Sequence, residues 1–445
     1  MFFKRKAYEK LREWKEKYAD CYSILLEGPR RVGKSTIAEQ FAKNEYETYI
    51  LIDFANISNT LLACFDDIND LDVFFLRLQT VTGKKLVEKK SVIIFDEIQE
   101  YPDIATTLKT FKIDGKYDVI CSGSMLGINY KKIHSNSVGY KTDYTMYSLD
   151  FEEFLWSLGY TDLQINDILI HMCELEPFSE IEINTYKKLF LEYCVLGGMP
   201  AVVKSYVINN NFSKTLELQR QIMLDYEEDV RKYAIGLDQT KIISIYRNIP
   251  AQLAKENKKF KFNKLDKNAR SREYSGCIEW LIDADVILKC TCLMYPELPF
   301  KGNTDEARFK LYYPDTGLLV SSLDDEAQED LRVNKNLGVY KGALYENFVA
   351  EAFIKQGLGL YYFKKENSQL EEDFFVRSKS ELIPVEVKSN AKQSKSLQAL
   401  IKNENYSDIK HGIKLGDFNI GNANGIYTFP YFCSFLIKKY LANWN

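Results

Sequence analysis

Histidine is scarce in this sequence, and its cysteines lack the spacing of a metal site. With three histidines among 445 residues, a histidine-rich metal centre or a Ser-His-Asp triad has little material to draw on. The nine cysteines lie scattered, without CxxC or Cys/His metal-site spacing. An odd and dispersed set of cysteines is typical of reduced, mostly buried thiols, so we expect the protein to be cytoplasmic.

Long apolar runs are also missing. No stretch approaches the ~18–20 uncharged apolar residues needed to cross a bilayer, so we expect no membrane contact. The opening MFFKRKAYEKLREWKEKY lacks the apolar core of a signal peptide and predicts a basic amphipathic helix. Because a single core rarely grows beyond ~250–300 residues, a chain of this length should hold about two to four domains.

The charge balance gives little sign of a nucleic-acid binder, except in one segment. The net charge is −4. However, Lys255–Arg272 (KENKKFKFNKLDKNARSR) carries eight basic residues against two acids, with Phe260 and Phe262 between them. Such a patch can meet phosphates, and a solvated basic loop is the alternative. The candidate DNA contacts are Lys258, Lys259, Lys261, Arg270 and Arg272.

The most specific motif in the sequence is a phosphate-binding loop. After an apolar strand at Tyr22–Leu26, GPRRVGKS fits the pattern G-x-x-x-x-G-K-[ST], and apolar positions in TIAEQF then predict a helix. Backbone N–H groups of such a loop and the helix N-terminus hold phosphate oxygens. Lys34 should reach the β- and γ-phosphates and Ser35 should bind Mg²⁺, which predicts ATP and Mg²⁺ as ligands. The predicted nucleotide-binding residues are Gly28, Pro29, Arg30, Arg31, Val32, Gly33, Lys34, Ser35 and Thr36.

A second strand supplies the acids that such a site needs. Val92–Phe95 predicts a central strand, with Asp96 at its carboxyl end to hold the Mg²⁺ water shell. Glu97 follows directly and is placed to polarise the attacking water. In YDVICSGSMLG, Ser122 or Ser124 could sense the γ-phosphate, and a plain strand-to-loop turn is the alternative. With TYILIDF, these segments predict a parallel sheet with helical crossovers.

From these motifs onward the sequence resembles bacterial and archaeal AAA-type (AAA_14) P-loop ATPases with a C-terminal DUF4143 region. The shared segments are EGPRRVGKST, VIIFDEIQEYPD, CSGSMLG and YTMYSLDFEEFLWSLG, followed by LGGMPAVVKSY, DYEEDVRKYA, FKLYYPDTGLL and KGALYENFVAEAF. The resemblance spans nearly the whole chain. It implies an AAA-type ATPase core, a helical lid and a nuclease-like C-terminal domain.

One departure from this family concerns a cation near the γ-phosphate. Similar proteins often carry Gly followed by Arg or Lys just before the DFEEFL element. Here SVGYKTDY has Tyr140 after Gly139, and Lys141 stands one place later. Either Lys141 replaces the cation or its role is lost. Arg30 and Arg31 are further candidates for a charge that senses nucleotide.

The expected fold is α/β: a P-loop parallel-sheet ATPase core with a helical lid, a winged-helix-like unit and a C-terminal restriction-endonuclease-like α/β domain. We place the core at residues 1–148, the lid at 149–238, the winged-helix-like unit at 239–300 and the C-terminal domain at 301–445. Apolar residues at three- and four-residue spacing indicate the helices of the lid. In the winged-helix-like unit, Tyr274–Ile287 would enter a DNA groove, or the unit would only brace its neighbours.

The C-terminal segment EEDFFVRSKSELIPVEVKS resembles the catalytic strands of PD-(D/E)xK nucleases. In that pattern Asp373 is the acid of the first long strand, and Glu386 and Lys388 form the E-x-K. Glu346 matches an acid that some members add on the preceding helix. The resemblance implies that Asp373 and Glu386 bind a second Mg²⁺ or Mn²⁺, while Lys388 orients or deprotonates the attacking water.

Strand geometry supports this arrangement independently. Side chains alternate along a strand, so Glu386 and Lys388 share one face while Val385 and Val387 turn to the core. A short connection would bring Asp373 beside Glu386 in the neighbouring strand. A charged solvent face would alternate in the same way, and an intact set of residues could also bind nucleic acid without cutting it.

The leading hypothesis is an ATP-binding and ATP-hydrolysing switch, coupled to a nuclease-like, nucleic-acid-associated C-terminal domain with DNA as its partner. The alternative is an ATP-gated binding or scaffold protein with a catalytically silent nuclease-like fold. A motor that translocates along DNA would need an arginine supplied between the subunits of a ring, and the altered SVGYK segment disfavours it. A monomer and a small homo-oligomer are both compatible with the sequence.

Overall fold

The computed structural model describes most of the chain, and the chain divides into two compact units. One unit comprises Phe2–Tyr147 and Asp283–Asp285, and the other comprises Ser148–Ile282 and Val286–Asn445. Within the described ranges, none of the helices combines the length and the apolar character needed to cross a membrane. The described residues are 2–124, 139–255, 258–267, 269–323, 325–333, 335, 339–368, 370–379, 381–388 and 394–444.

Parts of four sequence motifs lie outside the described residues. They are residues 125–127 of CSGSMLG, 137–138 of SVGYKTDY, 256–257 and 268 of the basic segment, and 380 and 389 of the C-terminal hairpin.

The first unit is built on a five-stranded parallel sheet. Its strands are β1 (Ser23–Glu27), β2 (Thr48–Asp53), β3 (Ser91–Asp96), β4 (Asp118–Ser122) and β5 (Lys141–Thr145). They follow the order β2-β3-β4-β1-β5, and every neighbouring pair is parallel, which confirms the predicted sheet. Because all strands run the same way, the residues after β1 and at the end of β3 lie at one edge, on either side of β4.

Among the described residues of this unit, five helices and two 3₁₀ turns accompany the sheet. The helices are α1 (Lys6–Lys17), α2 (Lys34–Glu45), α3 (Asn59–Leu62), α4 (Leu71–Thr82) and α5 (Ile104–Asp114), and the turns are Ala63–Asp67 and Ile98–Glu100. An aromatic core that includes Phe54, Phe74, Phe95 and Phe111 joins β2, β3, α4 and α5. The residues that α1 buries are all apolar, which confirms the predicted amphipathic helix.

The second unit begins with seven helices among its described residues. They are α6 (Phe151–Ser157), α7 (Asp162–Glu174), α8 (Glu180–Leu196), α9 (Pro200–Asn209), α10 (Phe212–Tyr233), α11 (Gln239–Leu253) and α12 (Ser271–Asp283). The helical character predicted for residues 149–234 is therefore confirmed. Capping boxes start α6, with Asp150 and Glu153, and α8, with Ser179 and Glu182.

Two sheets follow in the second unit. The four-stranded sheet has the order β7-β6-β8-β9, and the five-stranded sheet has the order β10-β11-β12-β14-β13 when the strands are numbered along the chain. The strands are β6 (Leu288–Leu293), β7 (Thr304–Tyr312), β8 (Tyr361–Lys364), β9 (Glu371–Glu372), β10 (Phe374–Ser378), β11 (Glu381–Val387), β12 (Gly412–Gly416), β13 (Gly421–Ala423) and β14 (Ile426–Pro430). The helices are α13 (Thr316–Ser321), α14 (Asp325–Arg332), α15 (Val339–Lys355), α16 (Lys395–Ile401) and α17 (Ile437–Ala442).

The predicted C-terminal hairpin is confirmed, and β8, the strand before it in the predicted domain, belongs to a different sheet. β10 and β11 are antiparallel, and Phe374 pairs with Val385, so Asp373 comes level with Glu386. β8 pairs instead with β6 and β9 in the four-stranded sheet. The chain passes from one sheet to the other at Asp373, between β9 and β10.

Apart from Asp283–Asp285, the predicted lid, winged-helix-like unit and C-terminal domain fall within this second unit. Antiparallel β6 and β7 lie on either side of the predicted boundary at residue 300. β6 also pairs in parallel with β8, which comes more than sixty residues later in the chain. The hydrogen bonds of one sheet therefore cross that boundary, and the four predicted domain limits stay predictions.

A buried polar network brings together three segments on which the family resemblance rests. The Asp315 carboxylate accepts hydrogen bonds from Ser148 Oγ (2.7 Å) and from the backbone N–H of Gly198 (2.8 Å). At Gly198 a Cβ atom would lie 1.8 Å from the carbonyl oxygen of Leu149, so the backbones meet where only glycine fits. Glu351 of α15 is tied to the same region, since the Lys355 ammonium contacts both its carboxylate (2.5 Å) and Ser148 Oγ (2.8 Å).

We expect Gly198→Ala to destabilise the second unit strongly. The added methyl group must displace the backbone of Leu149 and the N–H that Asp315 binds, which should cost about 2–3 kcal/mol or more. Gly342→Ala in α15 is the matched control: a Cβ there meets nothing within 4 Å, and alanine favours a helix. Thermal unfolding should show a lowered midpoint for Gly198→Ala only, and equal midpoints would contradict the close approach.

Candidate nucleotide site and carboxylate cluster

The phosphate-binding loop has the backbone conformation that its sequence predicts. Gly28 and Gly33 adopt φ angles of 126° and 95°, and Arg31 also lies in the left-handed region at 67°. A Cβ at Gly28 would lie 2.2 Å from the carbonyl oxygen of Met146. Gly28 must therefore be glycine for two reasons: its backbone angle, and the close approach of Met146, which directly follows β5. Helix α2 starts at Lys34, so its N-terminal N–H groups are directed at the loop.

Arg5 braces this loop from behind, and the sequence motifs gave no hint of it. The guanidinium donates to the carbonyl oxygen of Val32 at 3.0 Å and to that of Tyr147 at 2.7 Å. Val32 is fully buried, whereas Thr36 in the first turn of α2 is exposed. A buried charge that binds two carbonyl groups fixes the rear of the loop relative to the end of the sheet.

Lys34 folds over the loop. Its ammonium donates to the carbonyl oxygens of Gly28 (2.9 Å) and Pro29 (2.7 Å). Burial lowers the pKa of Lys34 to about 8, although the carboxylate of Glu97 acts in the opposite direction. Its hydrogen-bond acceptors are neutral carbonyls, so the ammonium keeps its charge available for a phosphate group.

Ser35 and Asp96 meet as a Mg²⁺ site requires. Ser35 Oγ donates to Asp96 Oδ1 at 2.9 Å, and the Ser122 hydroxyl contacts the same oxygen. Burial raises the pKa of Asp96, while the hydrogen bonds from Ser122 and Ser35 oppose this. A hydroxyl and a carboxylate oxygen side by side are the hard ligands that Mg²⁺ prefers. Ser122 is therefore placed against the predicted metal ligand.

Glu97 is held by two polar neighbours in a strained backbone conformation. It has φ 54° and ψ 49°, which is rare for a residue with a side chain and is often found at functional sites. Gln99 donates to Glu97 Oε2, and Ser124 Oγ lies 3.4 Å from the same oxygen. The N–H of Ser124 in turn donates to Gln99 Oε1 at 3.2 Å. Gln99, two residues after the predicted base, is the site residue that the motif analysis missed.

Lys141 does not replace the missing cation at the γ-phosphate. Along β5 it pairs with Ser23 at the start of β1, whereas Thr145 pairs with Glu27 next to the loop. Four residues of strand separate Lys141 from the loop end, or about 13 Å. Its ammonium instead pairs with Asp143 at 2.5 Å. Because β5 runs parallel to β1, Lys141 at its start lies at the end of the strand that is remote from the loop. Arg30 and Arg31 remain the predicted nucleotide-sensing charges.

In the second unit, Glu346 lies at the centre of a buried ion cluster. Lys310 and Tyr312 stand two residues apart on β7 and so share a face. Tyr312 Oη donates to Glu346 Oε1 at 2.5 Å, and Lys310 Nζ lies 3.1 Å from the same oxygen. The Lys258 ammonium contacts the other oxygen. Burial alone would raise the pKa of Glu346, but Lys258 and Lys310 lower it to about 2.

Lys310 also reaches two further carboxylates. Its ammonium lies 3.5 Å from Asp373 Oδ1 and 3.5 Å from Glu371 Oε1, and its side chain is 1% exposed. The second oxygen of Asp373 accepts the backbone N–H of Val387 at 2.9 Å. Burial opposes a charged Lys310, yet Glu346 and Asp373 raise its pKa well above the usual value. A lysine ammonium thus occupies the middle of three carboxylates, and the motif analysis did not predict it.

Glu386 and Lys388 meet as predicted, and both lie close enough to Glu372 for its carboxyl group to respond to their charges. Lys388 Nζ lies 2.5 Å from Glu386 Oε1. Burial raises the pKa of Glu372 well above its usual value, and the charge of Glu386 raises it further. Burial also raises the pKa of Asp373, and the charge of Glu346 raises it further. Among the four predicted residues, Glu346 and Asp373 both contact Lys310, while Glu386 pairs with Lys388, and their role as one catalytic set stays a prediction.

The basic segment contributes both to the core and to the surface. Lys258 contacts Glu346, and Phe260 is buried with its ring stacked 5.8 Å from that of Phe309. These two residues are therefore part of the packing around the carboxylate cluster. Lys259 is half-buried. The predicted DNA contacts that are exposed are Lys261, Arg270 and Arg272.

Comparisons with protein families match three parts of the chain. Residues 22–155 match the model of an AAA domain, and residues 187–329 and 341–432 match two domains of unknown function, DUF8612 and DUF4143. No curated protein matches the sequence. With its parallel sheet and its phosphate-binding loop, the first unit carries a P-loop ATPase-type domain.

Several solved structures are weakly similar to the chain. A Walker-type ATPase of Pyrococcus abyssi is 17% identical, with 72% of this chain and 96% of that chain covered at a TM-score of 0.44. The RuvB Holliday junction branch migration motor of Thermotoga maritima is 14% identical, with 64% and 89% covered at 0.28. A signal transduction ATPase of Pyrococcus horikoshii with a tetratricopeptide repeat sensor is 13% identical, with 80% and 46% covered at 0.26. At these TM-scores the likenesses carry no argument about function.

We expect Lys310→Met to destabilise the second unit by about 3–5 kcal/mol, because it leaves buried carboxylates without their shared cation. Lys364→Met is the matched control. Lys364 pairs with Glu371 at 2.6 Å on the half-exposed side of the cluster, where an ion pair contributes about 0–1 kcal/mol. Denaturant unfolding should separate the two variants. Equal stability of Lys310→Met and the wild type would show that the carboxylates need no cation.

Proposed function

We propose that this protein is an ATP-binding and ATP-hydrolysing switch whose second unit associates with nucleic acid. The observation that carries the first part is the contact between Ser35 and Asp96, which sets two Mg²⁺ ligands side by side at the end of the phosphate-binding loop. Bound Mg²⁺ would offset charge on the β- and γ-phosphates. The cytoplasm is the expected location of this activity.

Each residue of the loop has a distinct task in this proposal. Lys34 leaves the carbonyls of Gly28 and Pro29 to bind phosphate oxygens, and the N–H groups at the start of α2 hold the β-phosphate. Ser35 and Asp96 hold the metal. Arg30 and Arg31 are the nearby charges that respond to the nucleotide.

Glu97 orients the attacking water and accepts its proton. Its carboxylate is fixed by Gln99 and Ser124, so the base is positioned before the nucleotide arrives. Loss of the γ-phosphate would remove a partner of this group and alter the Gln99–Ser124 contacts. Ser124 is therefore the proposed sensor, whereas Ser122 positions Asp96.

For the second unit, one observation favours binding over cutting. A metal-dependent nuclease needs its carboxylates to hold a divalent cation. Lys310 already lies 3.1 Å from Glu346 and 3.5 Å from Asp373. We therefore propose that the Glu346–Asp373 cluster is catalytically silent, and that the exposed Lys261, Arg270 and Arg272 provide contacts to DNA phosphates.

The ATPase proposal predicts opposite effects for two substitutions. Lys34→Ala should abolish ATP binding, because it removes the cation that meets the phosphates. Glu97→Gln should keep ATP binding and lower hydrolysis by about 10²-fold or more, as expected for loss of a general base. Nucleotide binding and phosphate release measure the two effects. Glu100→Gln, an exposed acid in the same turn, is the control. Normal hydrolysis by Glu97→Gln would exclude Glu97 as the base.

The silent-nuclease proposal predicts no cleavage of plasmid or single-stranded DNA. Incubation with Mg²⁺ or Mn²⁺, with and without ATP, should leave wild type, Asp373→Ala and Lys388→Ala indistinguishable on a gel. Cleavage by the wild type that both substitutions abolish would overturn the proposal and establish a nuclease. The ATPase assay is unaffected by either outcome, so the two halves of the proposed function are tested separately.

A further inference from the structure

A cavity of about 420 Å³ lies in the second unit, lined by α8, by α15 and by the ends of β12 and β14. Gly416 and Pro430, the last residues of these two parallel strands, pair with each other in the sheet. Crevices outside the carboxyl ends of parallel strands are common ligand sites in α/β proteins, and the volume is typical of a small-molecule site. The position and the size of the cavity therefore both fit a ligand.

The charged residues that line this cavity are mostly basic. Lys187 and Lys188 line it from α8, and Lys341 lines it from α15. Asp417, which follows β12, is the one acid among the described residues of the lining, and its carboxylate pairs with the Lys187 ammonium at 2.7 Å. Lys188 is exposed and has no ion-pair partner within the described part of the chain. Three lysines against one aspartate leave an excess of two positive charges at the cavity.

Two tyrosines of the lining have hydroxyl groups that lack an internal partner. Tyr345 is 8% exposed and Tyr431 is 5% exposed, yet neither hydroxyl forms a hydrogen bond with the described residues. Their ring centres lie 4.5 Å apart, and the Phe190 ring stacks on Tyr431 at 6.0 Å, so packing fixes both rings. Burial raises the pKa of both tyrosines, which keeps the hydroxyls protonated as donors. Hydroxyls on such buried residues need an acceptor from outside the chain, either water or a ligand.

Donors and positive charge together select the chemistry of that ligand. Ammonium groups and protonated hydroxyls donate hydrogen bonds, so the ligand must offer several acceptor oxygens. A phosphomonoester has three such oxygens and a charge of about −1.5 to −2 at neutral pH, which matches the excess charge of the lining. A monocarboxylate has only one charge and two oxygens. Phe190 and Leu191 add apolar surface to the lining, against which an organic group can pack.

We propose that this cavity binds a phosphate group, free or as the phosphomonoester of a small molecule. The ammonium groups of Lys188 and Lys341 and the two tyrosine hydroxyls hold the phosphate oxygens. Lys187 stays paired with Asp417 at the rim. The site is separate from the phosphate-binding loop of the first unit, and the inference depends neither on ATP hydrolysis nor on DNA contacts.

Calorimetric titration of the full chain tests this site, in a Lys34→Ala background that weakens phosphate binding at the loop. Ribose 5-phosphate should bind, whereas ribose should not. Adding Lys188→Gln should weaken the binding by about tenfold or more, because it removes a charged donor. Lys204→Gln is the matched control, since Lys204 is an exposed lysine of α9 that does not line the cavity. Inorganic phosphate distinguishes the sources: affinity equal to that of ribose 5-phosphate assigns free phosphate as the ligand, and weaker affinity assigns a phosphomonoester.

Tyr431→Phe separates ligand binding from packing. It keeps the ring and removes a hydroxyl that has no hydrogen-bond partner among the described residues. The thermal midpoint should therefore stay unchanged, while the affinity for ribose 5-phosphate falls by about fivefold. Three results would overturn the proposal: no binding of either phosphate compound, equal affinity for acetate, or the same affinity in Lys188→Gln as in Lys204→Gln.

Discussion

The ammonium of Lys310 is the interaction on which the arrangement of the second unit depends. It stands on β7 and lies within 3.1–3.5 Å of carboxylates from α15, from β9 and from the bend that opens β10. Carboxylates this close together repel one another unless a cation lies among them. One side chain therefore holds together a helix and the ends of two sheets, and also fixes the electrostatic character of the whole cluster.

In the first unit, the buried charges of the candidate nucleotide site are stabilised by neutral polar groups. Its buried acid, Asp96, is paired with hydroxyl groups and not with a lysine, while Lys34 is bound by carbonyl groups. The ammonium of Lys34 and the carboxylate of Asp96 are thus not paired with each other, and in the proposed function phosphate and metal would lie between them. In the first unit the charged groups contact neutral hydroxyl and carbonyl groups, whereas in the second unit the carboxylates contact a lysine ammonium of the same chain.

The sequence predicts those parts of the structure that depend on neighbouring residues. The phosphate-binding loop is contiguous from Gly28 to Ser35, and strand alternation with a short turn brings Asp373 level with Glu386. Contacts between distant segments were not predictable. Lys310 precedes Glu346 by 36 residues and looks like one more position of an apolar strand, and Arg5 reaches the loop from the position just before α1. For Lys141 the sequence left two alternatives open, because residue spacing does not show which end of β5 lies beside the loop.

The pairing of β6 with both β7 and β8 has a consequence for how this protein can be divided. β6 ends at Leu293, before the predicted C-terminal domain begins, yet it lies between two strands of that domain. A fragment that starts at residue 301 would lose the middle of its four-stranded sheet. It would expose the edges of β7 and β8, and open strand edges recruit other chains. The predicted C-terminal domain therefore depends on the segment before it for a complete sheet.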